Sequence, residues 1–115
     1  MLNGFQARYI SGGVTYMDYT PGSAVDAGDV IVLGDVTVIA HHAISANTLG
    51  AVAVMGGIYE ANASEPVALG KKVYWDASGG AVTENTEDVF LGICTKAVGG
   101  SGGILEFLHI PASWV

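Results

Sequence analysis

Glycine recurs every few residues along this chain, and its spacing limits the fold more than any other feature. The chain has 17 glycines in 115 residues, and a glycine inside a helix weakens that helix because its backbone loses the most freedom on folding. The weak helical candidate, residues 43–49, contains Asn47 and Thr48, ends at Gly50, and fits a loop or single turn equally well. We therefore expect an all-β protein.

Segments rich in β-branched and aromatic residues occur in pairs, and each pair flanks a short turn. They number about ten, which predicts a compact antiparallel β-sandwich or barrel with an extended N-terminal arm. The turns are residues 11–13, 34–35, 55–57, 76–80 and 99–103, and the flanking strands are residues 5–10 and 14–19, 29–33 and 36–41, 51–54 and 58–61, 72–75 and 81–84, and 89–98 and 104–110.

The length predicts one β domain over residues 1–115. It divides into an N-terminal arm or hairpin, a core and a C-terminal tail, which are residues 1–26, 27–110 and 111–115. Two parts of the core, residues 27–32 and 69–74, each place a glycine before a β-rich run. This echo predicts a glycine turn that leads into a strand, and it is too short to indicate a duplicated domain.

Charge and hydropathy exclude two classes of partner. The formal net charge is −7, and the four basic residues are scattered, so we expect no binding to nucleic acid. Apolar runs such as residues 36–40 are too short to cross a membrane as a helix, so we expect no membrane insertion. Half of the residues are apolar and the mean hydropathy is +0.46. This high apolar content has two possible explanations. Some apolar surface is buried against other subunits, or the many small residues alone raise the mean hydropathy.

The known catalytic patterns fail in this sequence, and we expect neither an enzyme nor a cofactor. Residues 99–103 match the nucleophile pattern G-x-S-x-G, but a β-rich run follows where that motif requires a helix. Residues 70–72 lack the Ser or Thr and the upstream glycine of a phosphate loop. The single cysteine, Cys94, lies in an apolar strand and is expected to be a small buried residue. A single cysteine excludes an internal disulfide, and residues 1–4 lack a signal-peptide pattern. We therefore expect synthesis in a reducing cytosol.

His41 and His42, with His109 as a third candidate ligand, are the best metal candidates. Neighbouring residues in a strand point to opposite faces, so this pair is poorly placed to chelate one ion, and we expect no metal site. Glu84, Glu87 and Asp88 are expected in a solvated turn. Asp76 is expected to cap its hairpin by accepting hydrogen bonds from backbone amides.

The most specific segment is residues 72–83, with the sequence KVYWDASGGAVT, which predicts an aromatic strand, a polar turn and a second strand. Tyr74 and Trp75 must point to opposite faces, and the sequence leaves open which of them enters the core. Together with residues 27–34, 57–60 and 91–93, this hairpin resembles small phage proteins of the DUF2190 type, which are capsid decoration (cement) proteins. The lambda-type head decoration proteins are similar in a looser way.

This resemblance implies a structural virion protein that binds the outer surface of a phage capsid and stabilises the shell. The implied partners are the major capsid protein and further copies of the chain, as a dimer or trimer. Aromatic residues are favoured interface anchors, so we assign subunit or capsid contacts to Tyr9, Tyr16, Tyr19 and Trp114. Another virion module, such as a head-fibre or tail base, and a small carbohydrate-binding or enzymatic β domain remain as alternatives.

Overall fold

A computed structural model describes residues 5–100 and 102–111 of the chain. The described part is all-β, and none of it forms a helix that is long and apolar enough to cross a membrane. Its eight strands are β1 (Ala7–Tyr19), β2 (Val30–Leu33), β3 (Val36–Ala40), β4 (Gly50–Ala63), β5 (Lys72–Asp76), β6 (Ala81–Thr83), β7 (Val89–Lys96) and β8 (Gly103–His109).

Five of the strands close into a barrel. The order is β4–β6–β5–β7–β8, and β8 pairs back onto β4. All of these pairings are antiparallel except a short parallel contact between Ala63 of β4 and Val82 of β6. The remaining strands extend the sheet from β4: β1 pairs with β4 along its length, and β2 joins through β3. The chain is thus all-β as predicted. Of the two predicted architectures, sandwich and barrel, it forms a barrel, with extra strands outside it.

Two predicted hairpins are wrong, and this reduces the expected ten strands to eight. Residues 11–13 and 55–57 are not turns but lie inside the long strands β1 and β4, which pair with each other in antiparallel fashion. Gly56 has a φ of 90°, and a Cβ at that position would lie 2.4 Å from the carbonyl oxygen of Gly13. Glycine thus allows the two strands to pass closely through a bulged region. The other three predicted turns do connect paired strands.

A short backbone motif, which we call the first clasp, holds residues 25–29 against residues 40–44. Val25 and Ile44 form an isolated antiparallel bridge with N···O distances of 2.9 and 3.0 Å. The amide of Gly28 donates to the carbonyl of Ala40 at 2.6 Å, and the amide of Ala40 donates to the carbonyl of Asp29 at 3.0 Å. Gly28 has a φ of 90°, which an L side chain rarely adopts.

A second clasp repeats every one of these bonds between residues 67–71 and 94–98. Val67 and Val98 form the bridge at 2.9 and 3.0 Å. The amide of Gly70 donates to the carbonyl of Cys94 at 2.9 Å, and the amide of Cys94 donates to the carbonyl of Lys71 at 2.9 Å. Gly70 has a φ of 83°. The echo in the sequence is therefore a glycine turn that leads into a strand, as predicted, and the structural repeat extends to the bridge and its partner segment.

The buried residues form two clusters of unequal size. The larger one fills the barrel and includes Trp75, Tyr59 and Phe107, while the smaller one contains only Val38, Ala40, Ile44 and Val52 as fully buried members. Trp75 is the aromatic residue of the β5 hairpin that enters the core, and Tyr74 is half-buried against Phe90. Cys94 is buried as predicted, and burial raises the pKa of its thiol. Residues 43–49 form a loop.

Candidate binding surface

The first strand, β1, is an exposed edge of the sheet. It pairs with β4 on one side, and its other side makes no strand pairing within the described residues. Most of its residues are exposed, including the large side chains of Tyr9, Ile10, Tyr16 and Met17. Edge strands and exposed apolar side chains are both common features of protein interfaces. Three register shifts against β4 interrupt the strand and make its edge irregular.

Tyr9 and Tyr16 meet over His41, which follows β3. The Tyr9 and Tyr16 rings lie 5.1 and 5.4 Å from the imidazole ring. The two nitrogens of His41 lie 2.6 Å from the Tyr59 hydroxyl and 3.3 Å from the Tyr16 hydroxyl. A neutral imidazole donates from one nitrogen and accepts at the other, so the ring bridges the two hydroxyls. Burial and the neighbouring His42 lower the pKa of His41, which keeps this ring neutral.

The cluster continues into the barrel through Tyr59 and His109. Burial raises the pKa of Tyr59, and its ring stacks on Phe107 at 5.8 Å. His109 is fully buried, and its Nε2 donates to the carbonyl of Thr37 at 2.9 Å. Its Nδ1 has no hydrogen-bond partner among the described residues. Burial lowers the pKa of His109 to about 4, so this ring is also neutral at ordinary pH.

The four residues assigned to an interface from the sequence have different environments. Tyr9 and Tyr16 share the cluster around His41 and remain 42% and 50% exposed. Tyr19 lies at the other end of β1 and packs, half-buried, against the smaller core cluster. Trp114 lies outside the described residues. The structure thus brings two of the predicted residues together and separates the third from them.

A second candidate surface lies on the outside of the barrel. Ile58 of β4 is directly opposite Leu108 of β8, and Leu108 is directly opposite Ile93 of β7. Opposed residues of antiparallel strands share a face, and the alternate positions Tyr59 and Phe107 point into the core. Ile58, Leu108 and Ile93 therefore form an apolar row across three strands of the outer barrel face. Leu108 is 38% exposed.

A row of charged residues runs beside the apolar row. Arg8 is opposite Glu60, Glu60 is opposite Glu106, and Lys96 is opposite Glu106. Arg8 forms an ion pair with Glu60, and Lys96 lies 3.9 Å from Glu106. The charged row therefore consists of two ion pairs whose charges cancel. Exposed pairs of this kind add little to stability, but they remove net charge from this face.

The remaining polar candidates are parts of turns rather than sites. Asp76 accepts hydrogen bonds from the amides of Ser78 and Gly79, which lower the pKa of its carboxyl and confirm its predicted capping role. The hydroxyl of Thr83, the last residue of β6, donates at 2.7 Å to Asp88, which lies in the predicted polar turn. Among residues 5–100 and 102–111, no group of three histidines, cysteines or carboxylates is placed to hold a metal ion. A shallow cleft of about 430 Å³ is lined by Gly70, Lys71, Lys72, Tyr74, Glu84 and Thr86.

Sequence reasoning missed the exposed aliphatic residues. Leu49 and Leu69 are the most exposed large apolar side chains described, and Ile104 and Leu108 are exposed on β8. The alternation in β8, where Ile104, Glu106 and Leu108 share one face and Leu105 and Phe107 the other, is visible in the sequence. It does not reveal which of the two apolar sets is buried, because both contain large side chains.

Comparison with known proteins gives one match. Residues 10–107 match a family model described as phage cement protein. Neither the curated proteins nor the solved structures contain a match to the chain.

Proposed function

This chain belongs to the phage cement protein family, and on that premise we propose that it binds the outer surface of a phage capsid and stabilises the assembled shell. The family is a structural one, not an enzyme family. The observation that carries the proposal is the match over residues 10–107, which includes nearly all of the barrel and most of β1. The proposed partners are the major capsid protein and further copies of this chain.

The physical argument for shell stabilisation is mass action. A protein that binds the assembled lattice and not the free capsid subunits shifts the equilibrium towards the lattice, and many equivalent sites multiply the effect. Such a role needs a contact surface and not a reactive centre. The exposed aromatic and apolar side chains of β1 supply a surface of this kind.

The proposed capsid contact is the outward part of β1 around Tyr9 and Tyr16. Both hydroxyl-bearing rings are held by ring contacts with His41 and still expose about half of their surface. A ring that is already ordered loses little side-chain entropy when a partner binds. Trp114 remains in the proposal as a sequence-based assignment, and Tyr19 contributes through its exposed part.

Sedimentation with purified phage shells tests the proposal. The full chain should pellet with shells and raise the temperature at which they release their contents. Tyr16→Ala should weaken shell binding by about tenfold, the usual loss when an interface aromatic is removed. Tyr74→Ala is the matched control, because Tyr74 is a partly exposed tyrosine on β5 and away from β1.

Removing residues 1–19 is not a useful variant, because Ala7 is buried in the barrel core and β1 pairs with β4. Absence of the wild-type protein from the shell pellet would overturn the proposed function. Equal shell binding by Tyr16→Ala and wild type would overturn the β1 assignment alone. Recovery of the protein with tails and not with shells would favour the alternative virion module.

A further inference from the structure

We propose that the outer barrel face, with Leu108 at its centre, is the surface through which a second copy of this chain docks. The inference deepens the proposed homo-oligomer and rests on it, but it concerns the free protein and not the shell. The surface consists of the apolar row (Ile58, Leu108 and Ile93) and the charged row (Arg8, Glu60, Glu106 and Lys96).

The first argument is the arrangement of apolar area on this face. The three side chains of the apolar row occupy adjacent strands, so they form one continuous strip and not isolated exposures. Ile104 lies on the same face of β8 and is 39% exposed. An apolar strip rimmed by polar residues is the usual composition of a protein interface.

The second argument is electrostatic and favours a second copy as the occupant. Each copy has a net charge of −7, so two copies repel through most of their surfaces. The charged row contains two positive and two negative side chains, and Lys72 lies opposite Ile93 at the end of the apolar row. The outer barrel face therefore carries no excess of negative charge. Approach through this face avoids the repulsion that other orientations would meet.

The third argument is geometric. A two-fold axis near Leu108 brings the apolar row of one copy against that of the other, which is the self-complementary contact of a symmetric dimer. The ion pairs then lie at the rim, where charged residues are tolerated. This surface is also separate from the proposed capsid contact. Arg8 and Tyr9 are neighbours in β1 and point to opposite faces, so the two surfaces do not compete.

Sedimentation velocity of the free full-length chain over a wide concentration range tests the inference. The wild type should form a dimer whose population rises with concentration. Leu108→Glu should weaken this association by about a hundredfold, because a symmetric interface carries the change twice and each copy costs about tenfold. Leu49→Glu is the matched control, since Leu49 is 66% exposed and precedes β4 on another part of the surface. It should associate as the wild type does.

A milder variant, Leu108→Thr, serves if Leu108→Glu fails to fold. It places a β-branched side chain, which suits a strand, and removes apolar area, so it should also weaken association. A wild-type chain that stays at 11.7 kDa at every concentration would overturn the inference. Normal association of the Leu108→Glu variant would also overturn it. If that variant associates normally but no longer pellets with shells, the outer barrel face contacts the shell and not a second copy. Dimer loss with retained shell binding supports the inference and leaves the proposed function intact.

Discussion

The two clasps have the same backbone hydrogen bonds, but they pack against buried clusters of different size. In the first clasp, Ile44 is buried and Val25 half-buried, and both pack on a cluster with only four fully buried members. In the second clasp, Val67 is buried and Val98 half-buried, and both pack on the barrel core. Backbone geometry is therefore repeated in the chain, while the burial that stabilises each copy is not. Hydrogen bonds alone contribute modest net stability, so the core beneath each clasp decides its strength.

Removing a large side chain below the second clasp should have the largest effect. Trp75→Ala should lower the free energy of unfolding by about 3–5 kcal/mol, because it leaves a cavity in the barrel core. Val52→Ala, below the first clasp, removes two methyl groups and should cost about 2 kcal/mol. Urea unfolding measures both values. Equal losses would contradict the unequal contribution of the two cores.

Acid should weaken the link between the two regions at His109, the β8 residue that bonds Thr37 of β3. The folded-state pKa is lowered from 6.5 to about 4, so the unfolded chain binds the proton first as pH falls. The contribution of the neutral His109 ring to stability is therefore fully present above about pH 6.5. The free energy of unfolding should fall by about 3 kcal/mol as the pH decreases to 4. His109→Gln should lose this pH dependence. Identical urea midpoints across this range in wild type would show that the ring is not held neutral by burial.

The turn glycines of the two clasps should differ in their tolerance of alanine. At Gly70 a Cβ has open space around it, so Gly70→Ala carries only the cost of positive φ, about 1–2 kcal/mol. At Gly28 the Cβ would lie 2.6 Å from the ring of Phe5, so Gly28→Ala adds about 1–3 kcal/mol of overpacking. Thermal unfolding of the two variants compares them directly. The Cβ of Phe5 would also lie only 2.9 Å away, so the steric test needs Phe5→Gly. In a Phe5→Gly background the cost of Gly28→Ala should approach that of Gly70→Ala, and failure to do so would contradict the steric explanation.

The smallest effect is expected at Asn47, which lies just beyond the first clasp and has a backbone geometry similar to that of Gly28. Its φ is 59°, and its amide donates to the carbonyl of Pro21 at 2.7 Å, as Gly28 donates to Ala40. Asn47→Gly should change the free energy of unfolding by about 0.5 kcal/mol or less, because glycine adopts this φ freely. Asn47→Ala should cost about 1 kcal/mol. A loss on replacement by glycine as large as that by alanine would mean that the asparagine side chain, and not the backbone, is required.

Local patterns were sufficient for the fold class and for several individual residues. Frequent glycines and β-branched runs predicted an all-β chain, and the β2–β3 and β5–β6 turns are where the sequence placed them. The capping role of Asp76 and the burial of Cys94 were also predicted, since each depends on neighbours close in sequence or on side-chain type. The two wrong hairpins show the limit of such patterns. A glycine pair that bends a paired strand looks the same in sequence as one that reverses it.

Composition and local spacing determined that this chain would be acidic and rich in short strands and glycine-containing turns. These properties depend on residue types and on residues near one another in sequence. Tertiary structure decided that β1 and β4 run together as long strands, that Trp75 rather than Tyr74 enters the core, and that Tyr9 and Tyr16 converge on His41. It also decided which of the two apolar faces of β8 is exposed. The physical reason is that register and closure choose which face is buried, and these depend on strands far apart in the chain.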